Sequence, residues 1–243
     1  MTSHNIIDNR NEKLADHINR ILQSTEKVKF AVGYFFLSGF EEIKDRLKEL
    51  KELRLLIGNT TNQATLEQLS EGYKRLELVE RAEKEMRFVK RGEVKRIKEE
   101  TADNLRQVME LTDQTDEKEE VLVTLARLVE EKKLKVRVYT KGRLHAKAYI
   151  FDYGWVYGKD GKPIDREEKG IAIVGSSNLT LSGVTHNTEL NVLVQGNANH
   201  SELTRWFEGL WNESQDCDDF QVSELKQSWA IHTVSPYDIY IKT

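Results

Sequence analysis

The stretch RLHAKAYIFD, Arg143 to Asp152, sets an imidazole (His145) and an ammonium (Lys147) two residues apart and ends on a carboxylate, Asp152. The run otherwise reads as a strand, and residues i and i+2 of a strand share a face. His145, Lys147 and Tyr149 therefore fall on one side, and Ala146, Ala148 and Ile150 on the other. A neutral imidazole can attack phosphorus and hold it covalently, dividing a difficult displacement into two steps. A lysine beside it supplies compact positive charge where phosphoryl oxygens gain charge. The plain alternative is an edge strand whose charges deter aggregation. Against it stands the next strand, GIAIVGSSN, Gly170 to Asn178, which runs into a small-residue turn. Backbone N–H groups, the Ser176 hydroxyl and the Asn178 amide of that turn can complete an oxyanion cradle. Glu189 opens the following strand, ELNVLVQ, where a carboxylate can fix an imidazole's tautomer or simply face solvent.

The elements that must hold these groups follow from periodicity. Asn11–Gln23 carries Leu14, Ile18, Ile21 and Leu22 at helical spacing. VKFAVGYFF, Val28–Phe36, reads as a buried strand, and FEEIKDRLKEL as an amphipathic helix with Phe40, Ile43, Leu47 and Leu50 inward. LRLLIG, Leu53–Gly58, is the next strand. Helix–strand–helix–strand favours an α/β fold with a largely parallel sheet. LKVRVY, Leu134–Tyr139, resumes that sheet, and Tyr153–Lys169, containing KDGKP, reads as a hairpin-like excursion. HSELTRWFEGLWNES is expected to bury Leu203, Trp206, Phe207 and Leu210, and SELKQSWA forms a second late helix. Tyr34, Phe35 and Phe36 end a strand where ligands often sit, although such residues are more often core.

From about residue 64 to 133 the texture changes to Glu, Lys, Arg and Leu, read as a charged helical insertion. Within it Arg81, Lys84, Arg87, Arg91, Lys95 and Lys98 recur at steps of three or four, along one helix face. Interleaved Glu83, Glu85 and Glu93 allow a merely solvated face; the alternative is a stripe that tracks nucleic-acid phosphates. The 243 residues carry a net charge of −4, which argues only weakly against nucleic acid, because a local stripe suffices. No run of eighteen apolar residues offers a membrane span, and the amino-terminal residues show no secretory pattern. Cys217 is the single cysteine, so no internal disulfide or cysteine-rich zinc cluster is expected. A cytoplasmic location is the expectation. The folded domain is placed at residues 1–230, with 231–243 leading towards a further module.

The spacing H-x-K-x-x-x-x-D followed by G-S-x-N resembles the signature of the phospholipase D superfamily. That resemblance implies a mixed, largely parallel α/β sheet flanked by helices, and a metal-independent phosphodiesterase needing no cofactor. It implies His145 as nucleophile, Lys147, Asn178 and Ser176 around the phosphoryl group, and Glu189 orienting the histidine. Asp152 is expected to anchor its turn and balance charge rather than to touch substrate. Two signatures make one site in that superfamily, and this chain holds one, so a homodimer is implied, with a His145 from each copy. The Tyr153–Lys169 excursion separates the aspartate from G-S-S-N, where small nucleases of the superfamily keep them close. It is expected to shape specificity, to occlude the cleft partly, or to leave the site unmoved.

The order GYFFLSGF, LRLLIGNTTN, charged insert, KVRVYTKGRLHAKAYIF and IVGSSNLTLSG is also similar to phospholipase-D-like domains attached to bacterial Swi/Snf-type helicases. That implies DNA as partner and a helicase motor on the same full-length chain. The leading expectation is a DNA phosphodiesterase acting through phosphohistidine. Its alternative is a catalytically weak DNA-binding or dimerisation module, and a lipid phosphodiesterase is the third reading.

Overall fold

The computed structural model describes residues 5–33, 38–58 and 116–216. Outside them lie Tyr34–Phe36, the Arg81–Lys98 stripe, Cys217, the SELKQSWA segment and residues 231–243.

The described strands are β1 (Ile6–Ile7), β2 (Thr25–Val32), β3 (Glu52–Gly58), β4 (Leu134–Tyr139), β5 (Ala148–Tyr153), β6 (Val156–Tyr157), β7 (Pro163–Ile164), β8 (Gly170–Gly175), β9 (Asn191–Val194) and β10 (Gln215–Asp216). The described helices are α1 (Leu14–Leu22), α2 (Ser38–Glu41), α3 (Lys44–Leu47), α4 (Asp116–Glu130), α5 (Leu181–Thr185) and α6 (Asn197–Glu213).

Eight strands form one mixed sheet in the order β1-β9-β8-β5-β2-β3-β4-β10. Parallel pairing is confined to β2-β3-β4. The strands on the β5 side, and the short β10, pair antiparallel. The expected parallel character thus holds where helical segments cross between strands. It gives way where β5, β8 and β9 follow one another through tighter returns.

Strand alternation sorts the core into two layers. Phe30, Leu55, Val136, Tyr149, Phe151 and Ile173 face α1 to α5, while Ala31, Leu56, Ala148, Ile150 and Ala172 face α6. Phe40, Ile43, Leu47 and Leu50 are all buried, as their spacing demands. Their segment nevertheless forms two short turns rather than one helix, because Ile43 leaves helical geometry at φ −124°, ψ 0°.

The charged stretch expected to be inserted up to residue 133 ends differently. Its residues 116–130 form α4, which buries Val121, Leu125, Leu128 and Val129 in the main core and then feeds β4. It is the returning part of the crossover that two parallel strands require.

On α6 the buried aromatics are Phe207 and Trp211, stacked at 5.5 Å, whereas Trp206 is exposed. The inward row is 200, 203, 207, 210 and 211, one step off the row that begins at Leu203 and includes Trp206. Arg54 and Arg137 flank the Trp211 ring at 5.7 and 5.0 Å, and Arg54 Nη1 meets Glu208 at 2.8 Å. These contacts draw the indole inward.

Candidate active site

Strand directions bring one set of termini to a single edge of the sheet. The carboxyl ends of β2, β3 and β8 lie there, together with the amino ends of β5 and β9. Ligands of open α/β sheets sit beyond such carboxyl ends.

β5 begins only at Ala148, so His145 and Lys147 occupy the extended approach to the strand rather than the strand itself. The alternation read from sequence still holds beyond them: Tyr149 enters the first core layer and Ala148 and Ile150 the second. His145 is exposed and Lys147 is buried, with its Nζ donating to the His145 carbonyl at 2.8 Å. The lysine charge is thereby pinned directly beneath the exposed imidazole.

Asn178 is buried close by. Its Oδ1 accepts the Gly33 N–H at 3.1 Å, from the residue that follows β2. A Cβ on Gly33 would stand 3.3 Å from Asn178 Oδ1, 3.3 Å from the Leu144 carbonyl and 3.8 Å from Lys147 Nζ. The amide and the ammonium thus border one small space. Gly58, at the end of β3, donates its N–H to the Gly33 carbonyl at 3.0 Å.

The G-S-S-N turn is built as a rigid piece. Ser177 is fully buried and accepts from the Tyr149 hydroxyl through its carbonyl at 2.8 Å. The Ser177 N–H donates to Asn191 Oδ1 at 3.3 Å, and Asn191 Nδ2 donates to Ser177 Oγ at 2.9 Å. Burial raises the Tyr149 pKa, and the Glu189 charge raises it further, so the phenol keeps its proton and remains a donor. A Cβ on Gly175 would lie 2.3 Å from Asn191 Oδ1 and 2.4 Å from the Leu190 carbonyl, an approach only glycine permits.

Ser176 is exposed and commits its hydroxyl on both sides. It donates to the Glu189 carboxylate and accepts from the Leu190 N–H, the latter at 3.0 Å. Ser176 and Glu189 therefore form one unit at the mouth of the turn.

Asp152 is placed elsewhere. It lies at the far end of β5, about 13 Å along the strand from Ala148. There it pairs with the buried Lys29 of β2, and His200 Nε2 of α6 approaches its Oδ1 to 3.0 Å. That approach is ionic rather than an aligned hydrogen bond, since Nε2 is buried with no aligned acceptor. Burial disfavours the charged carboxyl, but the His200 and Lys29 contacts outweigh it and hold its pKa below the usual range. The sequence reading assigned His200 and Lys29 no role; a lysine at an interior strand position was the available sign of a buried partner. Gly33, Gly58, Tyr149 and Asn191 were also missed as site supports. A glycine at the end of each of three buried strands was their sequence trace.

The Tyr153–Lys169 excursion contains a small hairpin, β6 paired with β7, carrying exposed Trp155, Tyr157 and Ile164. It leaves from the end of β5 and returns to the start of β8, opposite the edge that holds His145 and Asn178. It neither shapes nor covers the cleft of its own chain. Among the described residues, no group of three or more His, Cys, Asp or Glu could hold a metal ion, and no helix is long and apolar enough to cross a membrane.

The family model described as cardiolipin synthase, PLD-like domain, matches residues 17–211. The chain belongs to this phospholipase-D-like family. No curated protein is matched by sequence. Solved structures with similarity include Nuc from Salmonella typhimurium, a phospholipase D family member, at 11% identity, TM-score 0.40, over 84% of this chain and 87% of that one. NucT from Helicobacter pylori is 12% identical, TM-score 0.44, over 87% of this chain and 96% of that one. Phosphatidylserine synthase from Haemophilus influenzae Rd KW20 is 12% identical, TM-score 0.49, over 88% of this chain but 39% of its own. Family membership rests on the family model rather than on these distant likenesses.

Proposed function

We propose that this chain is a metal-independent phosphodiesterase that cleaves DNA through a phosphohistidine intermediate, its active site shared by two copies. The observation that carries the reading is the meeting, at one sheet edge, of an exposed imidazole, a buried ammonium fixed beneath it and a buried amide beside that ammonium. A ring nitrogen of His145 attacks phosphorus, and the bond from phosphorus to the leaving oxygen breaks. Lys147 and Asn178 stabilise the charge that gathers on the non-bridging oxygens. The partner subunit's His145 gives its proton to the leaving oxygen and then takes one from water, which attacks phosphorus and frees the first imidazole. Glu189, held by Ser176, supplies the negative charge that steadies the imidazolium. A closed two-fold pair provides both histidines.

DNA as substrate follows from the resemblance to helicase-attached domains and from the basic stripe at Arg81–Lys98. The name of the matched family favours a second reading, a lipid phosphodiester as substrate. One experiment separates them. The protein is incubated in excess EDTA with single-stranded DNA, double-stranded DNA and phosphatidylglycerol vesicles, beside His145→Ala and with its mass measured in solution. DNA cleavage by a dimer, lost by about 10⁴-fold or more in the variant, is the expected result. Vesicle turnover alone selects the lipid reading. Cleavage that vanishes with EDTA, or survives His145→Ala, overturns the mechanism.

A further inference from the structure

We propose that Gly33 is a positioning residue for this site, acting through Asn178; the inference rests on the phosphodiesterase reading above. An amide side chain has two ends of similar shape and opposite use. Its oxygen accepts, and only its nitrogen can donate to a phosphoryl oxygen. Asn178 Oδ1 takes the Gly33 N–H at 3.1 Å, which fixes the flip: the oxygen is turned to β2 and Nδ2 is turned away from it. With Oδ1 held there, Nδ2 is the end left to face the anion beside Lys147.

Gly33 is itself held from the other side, since its carbonyl accepts the Gly58 N–H at 3.0 Å. A Cβ on Gly58 would fall 2.4 Å from that carbonyl, so β3 closes on Gly33 only because residue 58 is also glycine. The backbone of residue 33 is thus clamped between the end of β3 and the amide of Asn178. It also leaves a gap that sets the spacing of the cradle. A methyl group there would meet Asn178 Oδ1 and the Leu144 carbonyl at 3.3 Å, inside ordinary contact, with Lys147 Nζ at 3.8 Å beyond. Leu144 precedes His145, so the same methyl group would press on the approach that carries the nucleophile. Contacts that must give by a few tenths of an ångström leave the fold intact but shift these groups relative to one another. Displacements of that order at a reacting centre cost about tenfold to a hundredfold in rate.

Two variants test this, each beside Asn178→Ala and wild type. Turnover of bis(p-nitrophenyl) phosphate in EDTA, affinity for inorganic phosphate by calorimetry, and melting temperature are read for all. Gly33→Ala is expected to lower kcat about tenfold to a hundredfold, with KM changed less than threefold. In the Asn178→Ala background the same substitution adds less than twofold, because its effect passes through that amide. Asn178→Asp keeps an acceptor for the Gly33 N–H but offers oxygen where nitrogen is needed. It is expected to melt close to wild type and to lose phosphate affinity at least tenfold. The inference is overturned if Asn178→Asp binds phosphate like wild type, if Gly33→Ala leaves kcat within twofold, or if the Gly33→Ala loss is undiminished in the Asn178→Ala background. Should wild type bind phosphate without hydrolysing the diester, while Asn178→Asp weakens that binding, the phosphodiesterase reading fails and the positioning role stands. A wild type that does neither ends both.

Discussion

Removing the Asp152 carboxylate tests whether the aspartate of the signature belongs to the chemistry or to the framework. Its partner Lys29 sits in the sheet interior with only 8% of its side chain accessible, while the Asp152 side chain retains 24%. Asp152→Ala leaves that ammonium buried without its counter-charge, and His200 cannot replace it, because a protonated imidazole has the same sign. Losing one member of a buried pair costs about 3–5 kcal/mol, and the partial water access at Asp152 puts this case near 3 kcal/mol. In a protein of this length that lowers Tm by roughly 6–12 °C. Lys29→Met removes the ammonium itself and leaves Asp152 with His200 and water, at a cost of about 1 kcal/mol. The double variant should therefore be about 1–2 kcal/mol more stable than Asp152→Ala alone. Urea unfolding of the four proteins at pH 7 gives the cycle. A double variant that loses the simple sum, about 4 kcal/mol, would refute the claim that Lys29 and Asp152 are one energetic unit.

The same pairing sets a pH dependence. The Asp152 and Glu52 pKa values are both lowered in the fold, burial being outweighed for Glu52 by contacts with Lys135 and Arg54. Their stabilisation is complete above the unfolded values, about pH 4, and is lost as pH falls through the lower folded ones. The urea midpoint should hold from pH 7 to 5 and fall below 4, more shallowly in Asp152→Asn; an equal slope in that variant counts against the assignment. Gly175→Ala would drive a methyl group to 2.3 Å from Asn191 Oδ1 and 2.4 Å from a backbone carbonyl, so a loss of at least about 2 kcal/mol is expected in thermal melts. A melt within a degree of wild type would show that the G-S-S-N turn does not need that approach. Trp155→Ala with Tyr157→Ala, on the exposed hairpin, should change stability by less than about 0.5 kcal/mol per site and leave diester turnover within twofold. A tenfold fall in turnover would place the hairpin at the cleft after all.

How far the fold and the site could be read from residues depends on the reach of each signal. Periodicity marked the buried stripes of the α1, α2–α3 and β4 segments, because a face turned to one core leaves a local trace. It could not tell that Ile43 would break a helix in two, nor that Trp211 and not Trp206 would turn inward. The first depends on backbone angles at a single residue. The second depends on Arg54 and Arg137, which reach α6 from strands more than seventy residues away. His145, Lys147 and Asn178 were legible because their chemistry is unusual for a strand and for a small-residue turn. Gly33, Asn191 and His200 were not, since each works through one long-range contact and carries no spacing of its own.

The spacing of the signature then has a physical reading in β5. Seven residues separate His145 from Asp152, enough to carry the chain from one edge of the sheet to the other and onto the opposite face. Tyr149, on the first face, holds the Ser177 carbonyl and so the turn that presents Asn178. Asp152, on the second, ties the strand to β2 through Lys29 and to α6 through His200. Sliding β5 by one residue would put Tyr149 under α6 and Asp152 into the main core, breaking both anchors together. The register that keeps His145 over Lys147 is therefore fixed by two contacts, neither of which touches the reacting atoms. A change at either anchor should reach the site through register and stability rather than through lost chemistry.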